Sequence, residues 1–287
     1  MKFLVLTLLF FTGCSTVKPP TKIYQSQQLN ISGLVEGARS PLVIDDSTFV
    51  IDARSQFDYS LSHIPQSISL QWDEFSRPGA IHRGLLNEDL FKVTRRLARK
   101  GLGPETKVIV LGNGLQGAGE EARLTWTLLY IGIKNVQFAG LSYFQKAPMT
   151  NEQSPPKKNA KMWKPNLVSS LISTKEEIRK AMAPASLKGK VYLIDVRSQR
   201  EYFQKTDGGS FDINAINIPW EKFISEVGRP NFKIKKELSS FGVSATDRII
   251  TISNQGIRSG AVAAALTLMG YSNVGNYNGG YQMLFKK

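Results

Sequence analysis

The chain is 287 residues long, 41% hydrophobic and 21% charged, a length that suits one large domain or two ordinary ones. With 37 Lys and Arg against 23 Asp and Glu its net charge is +14, a balance that favours anionic surfaces as partners. One cysteine rules out an internal disulfide, and with two histidines a zinc site of the usual composition is not expected, so no metal or other cofactor is.

Met1 to Phe11 is a single lysine followed by a short apolar stretch, too short to cross a bilayer as a helix, and reads as a signal peptide over residues 1–13. Thr12-Gly13-Cys14-Ser15 then places small residues before the only cysteine. This looks like a bacterial lipobox, which implies cleavage before Cys14, lipid on its sulfur and attachment to a membrane. Phe11 departs from the usual leucine, and a cleaved secretory peptide with an incidental cysteine is the alternative. Ser15 after the cysteine implies the outer membrane, facing the periplasm. Residues 14–30 are polar and are expected to form a lipidated tether, ~50 Å long if extended at ~3.3 Å per residue. Cleavage removes Lys2 and no acidic residue, leaving +13. In an exported protein that charge points to anionic lipid headgroups or cell-wall polymers rather than nucleic acid, although dispersed lysines also serve solubility.

Beyond the tether, short apolar runs alternate with helical patterns. Strands are predicted over Thr48–Ile51, Lys107–Leu111, Val191–Ile194 and Arg248–Ile252, and helices over Glu88–Lys100, Glu120–Ile131, Thr174–Ala183 and Ile257–Met269. Such alternation predicts an α/β fold, a parallel sheet covered by helices with ligands at the carboxyl ends of the strands. The chain also repeats itself. Ile51-Asp52-Ala53-Arg54-Ser55-Gln56 returns as Ile194-Asp195-Val196-Arg197-Ser198-Gln199, Trp72-Asp73-Glu74-Phe75 as Trp220-Glu221-Lys222-Phe223, and Gly132-Ile133-Lys134-Asn135-Val136 as Gly270-Tyr271-Ser272-Asn273-Val274. The offsets of 143, 148 and 138 keep the same order, which means a duplicated domain. One copy is expected over 31–149 and the other over 167–287, joined by a proline- and lysine-rich linker over 150–166.

Arg248–Ile252 leads through Ser253-Asn254-Gln255-Gly256-Ile257-Arg258-Ser259 directly into an alanine-rich helix. A strand, tight turn and helix in this order aim backbone N–H groups and a helix dipole at one point, and Arg258 adds a charge: a candidate anion-binding loop. The loop resembles the active-site loop of the rhodanese (sulfurtransferase) family, Cys-x-x-Gly-x-Arg-Ser, in every signature position but the first. Asp52-Ala53-Arg54 with His63-Ile64-Pro65, Asp195-Val196-Arg197 with Ala215 to Trp220, and the closing Tyr277-Asn278-Gly279-Gly280-Tyr281 extend the resemblance to a tandem protein of the thiosulfate or 3-mercaptopyruvate sulfurtransferase type. In such proteins the second domain carries the cysteine, and two rhodanese-like domains are therefore implied here.

Ser253 stands at the position of that cysteine. A sulfurtransferase carries sulfur as a persulfide on a thiolate, whose pKa near ~8.5 a dipole and an arginine can lower; a serine hydroxyl cannot replace it. The second copy departs from the family further, with Glu201 where an arginine often precedes the aromatic and Phe211-Asp212-Ile213-Asn214 in place of His-Ile-Pro-Gly. In the first copy, Leu111 to Gly132 spans 21 residues against 18 from Ile252 to Gly270, and its Asn113-to-Gly119 loop lacks an arginine placed like Arg258; it reads as a structural turn. Asp52, Arg54, Asp195 and Arg197 recur in both copies and read as braces, Trp72 and Trp220 as packing anchors, and His63 as a turn residue with a local hydrogen bond.

Three functions compete. The first is an inactive, membrane-tethered relative that binds a small anion or a protein partner through residues 253–259. The second is an active sulfurtransferase that transfers sulfur without a protein persulfide, although covalent catalysis is then closed. The third is hydrolysis with Ser253 as nucleophile, for which the second copy offers no histidine base.

Overall fold

A computed structural model describes residues 24–182, 191–204 and 213–285. The signal peptide, Cys14, Phe211, Asp212 and the expected helix end Ala183 lie outside the described residues.

The described residues begin with strand β1 (Gln25–Ser26) and helix α1 (Ile31–Arg39), capped by the Asn30 side chain, which accepts from the Gly33 amide. The first domain continues through β2 (Thr48–Asp52), α2 (Gln56–Leu61), β3 (Ile68–Ser69), α3 (Leu90–Arg99), β4 (Lys107–Gly112), α4 (Glu120–Ile131) and β5 (Asn135–Gly140). After β6 (Asn166–Leu167) the second runs through α5 (Lys175–Met182), β7 (Val191–Asp195), α6 (Gln199–Phe203), β8 (Ile216–Asn217), α7 (Ile234–Ser240), β9 (Arg248–Ile252), α8 (Ile257–Leu268), β10 (Val274–Asn276) and α9 (Gly280–Leu284). The two four-stranded sheets, β3-β2-β4-β5 and β8-β7-β9-β10, are parallel and share one strand order. That is the duplicated α/β unit that the repeats predict. Their central strands are buried on both faces, as parallel strands covered by helices require.

Two expectations about the connecting segments change. Residues 24–30, assigned to the tether, belong to the folded body: Gln25 and Ser26 pair in parallel with Asn166 and Leu167 of the second domain's entry, and the Tyr24 hydroxyl donates to the Glu88 carbonyl. The 150–166 linker lies along the first domain. Thr150 bridges His63, the Ala160 amide donates to Ala98, and the Trp163 indole donates to Leu102. The backbone amides of Thr150 and Ala160 are satisfied by this surface.

The recurring side chains hold each domain at corresponding places. Arg54 grips Asp52 at 2.7 Å and donates to the Ser62 carbonyl, and Arg197 grips Asp195 at the same distance. Buried His63 stacks on Tyr59 at 3.8 Å and bonds its carbonyl, a local role. Trp220 is buried in the shared core, and Trp72 packs against it.

Helices α4 and α8 cross at the centre, and one hydrophobic cluster runs through both domains. Gly260 and the alanines Ala261 and Ala263–Ala265 keep α8 slim enough for this approach. A side chain at Gly260 would meet Arg123 of α4 at 2.7 Å. The Trp126 indole donates across the boundary to the Leu171 carbonyl at 2.8 Å.

A hairpin from each domain reaches over the other. In the first, Ser76 bridges Leu86 and brings Gly84 against the second domain's loop; in the second, Ile224 bridges Pro230 and brings Gly228 against Gly140. Arg229 locks the second hairpin by donating to the Gly37, Ala38 and Ser40 carbonyls at the end of α1, where a helix dipole favours a cation.

A Cβ on Gly84 would lie 1.4 Å from the Gln255 carbonyl oxygen and 2.5 Å from that of Asn278, both backbone atoms. Gly84→Ala is therefore expected to destabilise by roughly 1–3 kcal/mol in urea unfolding. Gly103→Ala, whose nearest neighbour would be 3.8 Å away, should change stability by less than ~0.5 kcal/mol. Equal effects would show that the hairpin does not seat as described.

Candidate functional site

The 253–259 loop lies at the carboxyl end of β9 and is pinned from below. Thr251 donates to the Ser259 carbonyl at 2.9 Å, Ser259 donates to Asn276 Oδ1 at 2.7 Å, and Asn276 returns a bond to the Gly256 carbonyl at 3.0 Å. Gly256 takes a left-handed φ of +76°, and a Cβ there would lie 2.2 Å from the Asn278 carbonyl, so glycine is required twice over. Ser253 is 1% exposed. Its Oγ lies 3.1 Å from Ser259 Oγ and accepts the Ser259 amide at 3.3 Å, which puts the nucleophile position at the amino end of α8. The amides of Asn254 through Arg258 find no acceptor among the described residues.

The loop is also covered. The Tyr281 and Gln282 amides donate to the Ser253 and Asn254 carbonyls, and Gln255 donates to the Ala80 carbonyl of the first domain. Residues 253–259 line none of the main cavities among the described residues.

Arg258, expected to lend its charge to an anion, forms a two-pronged pair with Glu201 at 2.7 and 2.8 Å. Glu201 also accepts from Asn254 at 2.8 Å and from the Ser198 amide and hydroxyl at the start of α6. The Arg258 hydrogen bonds, then those from Ser198, hold the Glu201 carboxyl down to about 2 against the opposing effect of burial. Beside it the Arg197 guanidinium lies 3.9 Å over the Tyr281 ring, whose hydroxyl donates to Asp195 at 3.0 Å; burial and that carboxylate push the phenol far up. Among the described residues no base stands within hydrogen-bonding reach of Ser253, whose side-chain partners are Ser259 Oγ and N.

Two further charged residues, on α4 of the first domain, escape a reading of sequence. Arg123 is wholly buried in α4, where desolvation lowers it to about 9. It donates to the Gly84 carbonyl and Thr127 and lies 4.4 Å over Trp126, with no carboxylate partner among the described residues. Glu121 sits in the first domain where Arg258 sits in the second, each the second residue after a left-handed glycine, Gly119 at φ +79° and Gly256 at +76°. Desolvation first, then neighbouring Glu120, pushes the Glu121 carboxyl well above its usual range; the amides of Glu121 and Gly114 oppose this without reaching hydrogen-bonding geometry. The charged sequence of α4 gave no sign that these two positions are interior.

A family model described as the rhodanese-like domain matches residues 39–144 and again 174–286. The chain belongs to the rhodanese-like family. No curated protein sequence matches it. Among solved structures, SseA from Escherichia coli, described with the catalytic mechanism of 3-mercaptopyruvate sulfotransferases, is 19% identical with a TM-score of 0.67, over 90% of this chain and 99% of SseA. Wild-type EanB is 17% identical with a TM-score of 0.70, over 88% of this chain and 64% of EanB. A cysteine-to-serine variant of EanB in complex with hercynine is 18% identical with a TM-score of 0.69, again over 88% of this chain and 64% of EanB. The chain thus spans about 64% of the length of EanB, and at these identities the likeness is one of fold. The rhodanese-like protein described here shares the tandem arrangement of SseA and differs from the family's loop pattern at Ser253.

Because the folded Glu201 carboxyl lies near 2, below its usual 4.5, the Arg258–Glu201 pair stabilises the fold fully above that usual value and is lost as pH falls toward 2. Between about pH 6 and about pH 3 the urea midpoint of the wild type should fall further than that of Glu201→Gln. Parallel falls would show that the pair contributes nothing.

Proposed function

We propose that this rhodanese-like protein is a membrane-tethered, catalytically inactive relative of the sulfurtransferases, which uses residues 253–259 to hold a small anion or an acidic group of a protein partner. The observation that carries this reading is the hydroxyl of Ser253, held by the Ser259 amide where the family pattern has a thiol. Sulfur transfer through a protein intermediate needs a thiolate to attack the outer sulfur of the donor, forming an S–S bond while the donor's remainder leaves with the electron pair. A protonated hydroxyl with no base beside it among the described residues is too weak a nucleophile for that attack, and an O–S linkage is no substitute for the S–S bond. Support for anion binding comes from the unfilled amides of Asn254–Arg258 at the start of a twelve-residue helix. An incoming anion competes with Glu201 for Arg258, which makes affinity modest and sets a preference for small, strongly charged groups. Lipid on Cys14 and an outer-membrane position facing the periplasm complete the proposal, with the positive charge directed to anionic surfaces.

Thiocyanate formation from thiosulfate and cyanide should be absent in the wild type and appear in Ser253→Cys, with Glu201→Gln in that background raising it roughly tenfold by freeing Arg258. Wild-type turnover equal to that of Ser253→Cys would establish the alternative, an active enzyme working without a cysteine persulfide. Sulfate and thiosulfate should raise the melting temperature of the wild type but not of Arg258→Ala; a shift in neither protein leaves contact with a partner as the loop's role. Labelling with a palmitate analogue in a bacterial host should mark the wild type and spare Cys14→Ala, and label on both would refute the lipid anchor.

A further inference from the structure

The carboxyl edge of the first domain's sheet, not the covered loop of the second, is where the molecule opens. Gly112 lies at the end of β4, in the place where parallel sheets bind ligands, and with its neighbours it lines a cavity of about 570 Å³. A Cβ on Gly112 would strike the Glu121 carboxylate at 2.2 Å, so no side chain fits there. The backbone is therefore flush with the cavity.

Five polar side chains line this space, Asn113, Gln116, Ser142, Gln145 and Glu226, and none has a hydrogen-bond or ionic partner within the described residues. Leu115, Leu141, Phe144 and Met149 supply the apolar wall, with Leu115 and Met149 left 38% and 41% exposed. A mostly apolar wall with a few unspent polar groups is the make-up of a small-molecule site. The charge decides the ligand. In a chain of net charge +14 the cavity is lined by no lysine or arginine, and its one charged side chain is the carboxylate of Glu226, carried in by the second domain's hairpin. Directly behind Gly112 lies a second carboxyl, that of Glu121. Arg229, the nearest cation on that hairpin, is turned away and bound to the end of α1.

We propose that this composite cavity binds a small organic cation with an apolar body, its ammonium at Glu226 and its body against Phe144, Leu141 and Met149. The site is opposite in sign to the 253–259 loop and independent of it.

Saturation-transfer NMR on the full chain with 2-phenylethylammonium, its neutral counterpart 2-phenylethanol and the anion phenylacetate tests this. The ammonium should bind with a Kd of about 1 mM, the alcohol more weakly, and phenylacetate roughly tenfold more weakly still. Glu226→Gln, at an exposed position, should weaken the ammonium about threefold to fivefold and leave the alcohol unchanged. Ser142→Trp, which fills the cavity from an exposed turn, should remove both. Arg258→Ala should change neither, which separates this site from the anion loop. Phenylacetate binding as tightly as the ammonium, ammonium binding that survives Ser142→Trp, or no binding up to about 10 mM would each overturn the proposal.

Discussion

The close crossing of α4 and α8 is the contact on which the arrangement of both domain ends depends. It requires a helix face of glycine and alanine on one side, and on the other it buries Trp126 and Arg123 in an interior shared by the two domains. Burying a guanidinium without a carboxylate is costly, and here it is offset by a carbonyl, a hydroxyl and the faces of two indole rings. One of those acceptors is the Gly84 carbonyl, so the charge of Arg123 fastens the hairpin that lies over the second domain's loop. Through this crossing, each domain's sheet end is roofed by its partner's hairpin, and neither end belongs to one domain alone.

Duplication has placed a basic and an acidic residue at equivalent points. After the left-handed glycine, α8 carries Arg258 and α4 carries buried Glu121. At the second domain's end the cation is spent on Glu201, and closing residues 278–282 lie across the loop. At the first domain's end a cavity beside Gly112 stays open next to the hairpin, and its one charged lining side chain is that of Glu226. A fold built to present a positive loop has thus kept the loop's backbone while its charge is held internally.

Much of this was readable in residues. The return of Asp52-Ala53-Arg54 as Asp195-Val196-Arg197 predicted two matching turns, and both form, because a carboxylate and a guanidinium two residues apart can close the same bracket wherever a strand turns into a helix. Helix α4 begins and ends where its pattern predicted, since left-handed glycines stand at Gly119 and Gly132 on either side. The Ser253 loop likewise lies between the strand and the helix that its flanks predicted. The place of residues 24–30 in the folded body is not legible in the sequence, because Gln25 and Ser26 pair with Asn166 and Leu167 far along the chain and carry no local signal.

Sequence alone determined the duplicated α/β unit, the position of the loop and the missing thiol, all of which follow from local periodicity, turn chemistry and the identity of one atom. Only the tertiary structure decided that Arg258 is spent on Glu201, that Arg123 and Glu121 are interior, and that the open cavity lies on the first domain. Those outcomes depend on groups brought together across 57 residues for Arg258 and Glu201 and across a domain boundary for Arg123 and Gly84, a proximity that no local pattern encodes.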